Sequence, residues 1–171
     1  RPHDLVFNRE DYQETRALIR RHRGRVVHCH NLVPRPSTSV YAAAVDESVP
    51  IIQTVHNYRI GCLNGLHLYQ GRICERCRPG HYLPGIIRGC YRGLHLQSLA
   101  LGMVQQINHW RGVWHTPTRY IAPSQFVRTK LIDWGIAPER VIVKSHFVAD
   151  DPGPRFDPGS HALFVGRLSP E

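Results

Sequence analysis

The sequence predicts an α/β protein: a Rossmann-like parallel sheet with helices on both faces. Three observations predict it. Short apolar strands alternate with segments of helical period, the pattern of a wrapped parallel sheet. One strand, 50–55, breaks abruptly into polar His56-Asn57-Tyr58, as strands do where a parallel sheet opens its carboxyl edge to ligands. The 171 residues suffice for one domain with a sizeable core.

The elements follow in order. Asn8 caps a first helix with Glu10 and Asp11 in its opening turn, Tyr12, Ala17, Leu18 and Ile19 as its apolar stripe and Gly24 as its stop. Strand 25–30 sets His28 and His30 on one face and Cys29 on the other, because side chains alternate. Ser37 caps a helix over 38–45, and the strand 50–55 follows. Leu94, Leu101, Val104, Ile107 and Trp110 recur at spacings near three, four and seven, which predicts a long amphipathic helix within 93–114. Strand 119–122 leads to Ser124, the cap of a helix carrying Phe126, Val127, Leu131 and Trp134 and stopped by Gly135. Strands at 140–144 and 162–165 complete the series, with a Pro/Gly/Asp-rich linker at 150–160 between them.

Composition sets the bounds. Hydrophobic residues at 42% and charged residues at 20% exclude a disordered chain. No apolar run reaches the ~18 residues that span a bilayer. The chain opens Arg1-Pro2-His3-Asp4 without Met or signal peptide and reads as an excerpt of a longer, cytoplasmic protein. Lys+Arg 22 against Asp+Glu 13 gives +9, nearly all of it arginine. Arginine suits planar recognition of phosphate and carboxylate, so the charge fits anionic partners: nucleotide diphosphates, acidic glycans, nucleic acid or the anionic inner face of a membrane, met peripherally, the plain alternative being a solvated basic surface. A nucleic-acid-binding module would concentrate its basic residues on one face with aromatics for stacking; here the arginines are scattered, so nucleic acid is not the expected partner.

Residues 57–92 form a long excursion without an apolar period, holding Cys62, Cys74, Cys77 and Cys90. The five cysteines are odd in number, which prevents complete internal pairing, and with no export signal in view reduced thiols are the expectation. A Cys-x-x-Cys pair with two further cysteines can close an all-thiolate tetrahedral zinc site of structural kind. A redox dithiol at Cys74/Cys77, an iron–sulfur cluster and free buried thiols are the alternatives. His28 and His30, without a nearby carboxylate, make a weak metal pair and read as packing or orienting residues, with Cys29 a buried small hydrophobe. His56, straight after a buried strand, is the candidate catalytic residue, the plain alternative being a hydrogen-bonded edge histidine. Ser124 puts a helix N-terminus at the sheet edge, suited to an anion or simply to capping. Gly166-Arg167 past a strand is a place to clamp phosphate.

Several stretches, in this order, resemble the GT-B-fold retaining glycosyltransferases of family 4. They are His28-x-His30-Asn31, Thr54-Val55-His56-Asn57-Tyr58, Cys62-Leu63-Asn64-Gly65 and Gly71-x-x-Cys74-x-x-Cys77. Cys90-Tyr91-Arg92-Gly93, Tyr120-Ile121-Ala122-Pro123-Ser124-Gln125-Phe126 and Leu163-Phe164-Val165-Gly166-Arg167-Leu168 continue the likeness. The resemblance implies two Rossmann-like domains across a cleft. Residues 1–149, with insertion 57–92, would be the acceptor-side domain, and 161–171 the first strand of a truncated donor-binding domain.

It implies further that His56 contacts the transferred sugar and that His30, Asn31, Asn57, Asn64 and Ser124 belong to the substrate-binding set. Gly166 and Arg167 would bind the diphosphate of a nucleotide-sugar donor, with a glycan or lipid-linked molecule as acceptor and no cofactor for the chemistry. Two departures stand out. The usual first strand with its Gly-rich loop is missing, and Ser145-His146 stands where such enzymes tend to have Pro-Asn. The donor domain beyond Glu171, with the Lys and paired glutamates of the donor site, is absent as well, so the chain alone is expected to be inactive. A non-catalytic glycan- or lipid-binding domain is the rival reading, and a zinc-containing nucleic-acid module a weaker one.

Overall fold

Asn8 opens α1 (Arg9–His22) as expected: its side-chain oxygen accepts from Glu10 N at 2.9 Å and Asp11 N at 3.1 Å. The computed structural model describes residues 6–34, 36–147, 150, 153 and 164. The helix ends one residue earlier than the glycine suggests. Arg23 takes the left-handed conformation, φ 49°, and Gly24 N then closes onto Ile19 O at 2.9 Å. No residue of α1 is buried. It is tied to α2 (Ser39–Asp46) by Arg16 and Arg20, 2.6 and 2.8 Å from Glu47, and by Tyr12, which donates to Asp46.

Ser37 does not cap α2 in the expected way. Thr38 occupies the cap position without a side-chain cap bond. The buried Ser37 hydroxyl instead accepts from Asn8 N at 3.2 Å and Ser39 N at 3.3 Å, joining the starts of α1 and α2.

Four strands, β1 (Val27–His30), β2 (Ile51–Thr54), β5 (Arg119–Ala122) and β6 (Val141–Val143), form one parallel sheet in that order, flanked by helices. Register pairs His30 with Thr54, Thr54 with Ile121 and Ile121 with Ile142, so the carboxyl ends of all four strands share one edge. The core beneath contains Cys29, Tyr41, Ile51, Val55, Tyr120 and Leu131. Burial pushes the Cys29 thiol up to about 12, in keeping with an inert packing residue. The expected strand at 162–165 and linker at 150–160 fall largely outside the described residues, as do Gly166 and Arg167.

The 57–92 excursion has more structure than its sequence suggests. It contains a small antiparallel hairpin, β3 (Leu68–Tyr69) with β4 (Arg72–Ile73), and a short helix, α3 (Leu83–Ile87). It also has a core of its own: Leu63, Tyr82 and Leu101 are buried together, with Ile86, Cys90 and Tyr91 packed around them.

Leu101 comes from α4 (His95–Trp110), whose buried face takes in Leu101 and Val104 of the expected apolar stripe but not its ends. Trp110 and Leu94 are exposed, while Ser98, Gln105 and Asn108 are buried beside Leu101, Gly102 and Val104. Polar groups at these places bind the excursion to the helix. Ser98 Oγ accepts from Tyr91 N at 2.8 Å, and Gln105 Nε2 donates to Arg59 O. Helix α5 (Gln125–Asp133) starts at Ser124 as predicted but buries only Val127 and Leu131, leaving Phe126 exposed.

Candidate functional site at the carboxyl edge of the sheet

Each strand that ends at the shared edge delivers polar residues to it. β1 ends on His30 and continues into Asn31; β2 ends on Thr54 and reaches His56 and Asn57 after Val55. β5 runs through Pro123 to Ser124, and β6 runs through Lys144 and Ser145 to His146. The buried Thr54 and Val55 anchor the second of these turns while His56 stays exposed.

A row of four imidazoles results. His28 and His30 have ring centroids 4.4 Å apart, His30 and His56 5.0 Å, and His56 and His146 5.9 Å in near-parallel stacking. His30 Nδ1 lies 2.7 Å from His56 Nε2, and His28 Nε2 lies 2.8 Å from Thr54 Oγ1. Beside this row Asn57 Nδ2 donates to Asn31 Oδ1 at 2.8 Å, and Asn57 Oδ1 accepts from Arg59 N at 3.0 Å. Asn31 holds a left-handed backbone, φ 47°, a conformation asparagine tolerates better than most residues. Asn31, His56 and Asn57 line one depression together with Tyr41, Gln53 and the buried Trp114.

The electrostatics of the row follow from its crowding. Partial burial, then the neighbouring His30, His146 and His28, hold the His56 imidazole below its ordinary 6.5. Burial, then His30 and Lys144, lower His28 in the same way. At neutral pH His56 is therefore an uncharged ring, able to accept or donate a hydrogen bond at an open sheet edge.

Two residues expected in the substrate set are engaged elsewhere. Asn64 faces the cysteines: its side-chain oxygen accepts from Leu66 N at 2.9 Å and from the Cys62 thiol at 3.0 Å, and its amide donates to Leu68 O at 2.6 Å. Ser124 Oγ accepts from Val127 N at 3.3 Å, as a helix cap. His146, noted in the sequence only as a departure from the resembled pattern, joins the row as well. Its signal was position alone, three residues beyond the end of a parallel strand.

Cys62, Cys74, Cys77 and Cys90 line a second pocket with Asn64, Arg76, Gly85 and Arg88. All four are free thiols. Burial, and to a lesser degree the other cysteines, push Cys77 up to about 11 and raise Cys90. Among the described residues, no group of three or more His, Cys, Asp or Glu side chains is already arranged to hold a metal ion. No helix among them is long and apolar enough to cross a membrane.

A parallel sheet whose open edge carries the histidine row is the place where this fold class keeps its chemistry, and a family comparison says which chemistry. Residues 1–151 match the model of Glycosyltransferase Family 4. The chain belongs to glycosyltransferase family 4. No curated protein and no solved structure gives a significant match. Membership makes the family 4 domain a transferase domain, with a sugar donor and an acceptor as its partners.

Proposed function

We propose that this family 4 domain is the acceptor-side half of a GT-B-fold enzyme. That enzyme moves a sugar from a nucleotide-diphosphate donor to a glycan or lipid-linked acceptor, with retention at the anomeric carbon. The observation that carries the reading is the pairing of His30 with His56 at the sheet's carboxyl edge, at 2.7 Å. It supports His56 as the residue beside the transferred sugar, with His30 fixing its ring and the Asn31–Asn57 pair offering amides to sugar hydroxyls. A neutral imidazole suits this place, since it can accept from a sugar hydroxyl and need not carry charge into the cleft.

In this reading Gly166 and Arg167 belong to the opening of a donor-binding domain. The Arg167 guanidinium neutralises the diphosphate as it leaves, an electrostatic stabilisation of the transition state. The domain alone then has no turnover, because the donor is held by the second domain.

The outer surface of α3 and α4 favours a lipid-linked acceptor and a peripheral place on an anionic membrane. Leu83, Ile87, Leu96, Met103 and Trp110 are exposed there, and the exposed Arg111 follows α4. Apolar side chains beside cations are the combination that holds a protein at an anionic bilayer surface. Co-sedimentation with vesicles containing phosphatidylglycerol, lost on Leu96→Glu and Trp110→Glu together, supports this; equal binding to neutral vesicles contradicts it.

The reading as a whole is tested by supplying the parent enzyme with nucleotide-diphosphate sugars and acceptor lipids, and following diphosphate release and product configuration by NMR. Transfer with the donor's anomeric configuration kept supports it. An inverted product, or transfer by residues 1–171 alone, overturns it.

A further inference from the structure

The excursion 57–92 brings four thiols to one pocket from three separate stretches of chain, Cys74 and Cys77 sharing one. Cys62 stands in the 58–65 turn, where its N–H is bonded to Tyr58 O at 2.8 Å. Cys74 follows β4, its N–H on His67 O at 2.8 Å, and Cys90 follows α3, its N–H on Gly85 O at 2.9 Å. Cys77 lies before the Arg78–His81 bridge, close under α3: a Cβ added at Gly85 would sit 3.1 Å from its sulfur. Packing small hydrophobes requires no such meeting. Four cysteines scattered through the core would fill space equally well, and Leu63 and Tyr82 already form a core here.

We propose that Cys62, Cys74, Cys77 and Cys90 bind one zinc ion as a closed, all-thiolate site that locks the 57–92 excursion. Four protein ligands leave no position for water or substrate, so the ion is structural. Zinc displaces the four thiol protons to solvent as the Zn–S bonds form.

The four thiolates and the ion carry a net double negative charge, and two guanidinium groups are at hand to offset it. Arg88 Nη1 lies 3.4 Å from Cys74 Sγ, and Arg76 lines the same pocket. Asn64 Oδ1 keeps its bond from Leu66 N when the Cys62 thiol proton is lost. The thiols must draw in from their present positions to reach the ~2.3 Å of a Zn–S bond, a movement of side chains whose backbones are already fixed at three of the four cysteines.

The inference is independent of the sugar-transfer reading, because it concerns ordering of the excursion and not turnover. The test is metal analysis of the 171-residue chain, purified without added zinc and without a metal-affinity tag. About one zinc per chain is expected, together with cobalt–thiolate charge-transfer bands when cobalt replaces it. Cys74→Ser combined with Cys77→Ser should abolish both signals, and Cys29→Ser should leave both intact. Purified protein that is metal-free and takes up neither ion overturns the proposal. So does iron with labile sulfide in place of zinc, or zinc retained by the double variant. The measurement on the unsubstituted chain decides the matter even where the double variant fails to fold.

Discussion

His30 Nδ1 and His56 Nε2 face each other at 2.7 Å, joining the end of β1 to the turn after β2. One ring donates and the other accepts, so the contact orients both. His56 is thus held in place by a neighbour on the adjacent strand, which is how a rigid sheet positions a side chain over an open cleft.

The first prediction concerns pH. The fold holds His28, His56 and the buried His67 below their ordinary 6.5, so the unfolded chain takes up protons before the folded one as pH falls. Stability from these groups is complete above about pH 6.5 and declines as the pH falls below that value. Glu47 and Glu75, held below 4.5 first by hydrogen bonds to Arg20 and to Lys130 respectively, lose theirs in a separate and more acidic window. Thermal midpoints measured from pH 8 to pH 5 should fall through the upper window. A midpoint that is flat or rises there contradicts the neutral-histidine account.

The second concerns the small core of the excursion. Leu63 is completely buried against Tyr82 and Leu101. Leu63→Ala should cost about 2–5 kcal/mol through lost burial and the cavity left behind. That corresponds to a midpoint lower by roughly 5–15 °C. A change within one degree would mean that this cluster contributes little to holding the excursion on α4.

The third concerns a close approach. A Cβ at Gly61 would lie 2.5 Å from Trp134 Cζ2, inside a ring that cannot swing aside as a flexible chain end can. Gly61→Ala should destabilise by about 1–3 kcal/mol, seen in denaturant unfolding. Unchanged stability would show that Trp134 is free to move.

Much of the fold was legible because its signals are local. Asn8 and Ser124 cap helices with their own side chains, and the strands are short apolar runs with turn formers between them. The interior of 57–92 was not, since its hairpin has two-residue strands and α3 only five residues, too short for any period to register. The stripe of α4 misled for another reason. Its buried face carries polar residues, and the partners of Gln105 and Asn108 lie in distant chain, at Arg59 and Thr38. At the site, His56 and Asn57 were legible as a polar break after a strand. The stacking of His146 on His56 depends on the tertiary path of β6 and leaves no mark within either segment.

The fourth prediction tests the donor end. Arg167→Ala in the parent enzyme should cut turnover by roughly 10²-fold, a usual figure for one group stabilising a leaving diphosphate. Unchanged turnover and donor affinity would remove Arg167 from the mechanism.

The most direct test of the central claim is the turnover of His56→Ala in the parent enzyme, measured beside its thermal midpoint. The account predicts a loss of roughly 10²-fold or more in transfer, as for a positioned acid–base or polar group at the reacting centre. It predicts with it a midpoint within a few degrees of the parent's, because an exposed edge histidine carries little core. Full activity, or a large loss of stability accompanying the loss of transfer, would contradict it and leave His56 as a histidine that holds the end of a strand.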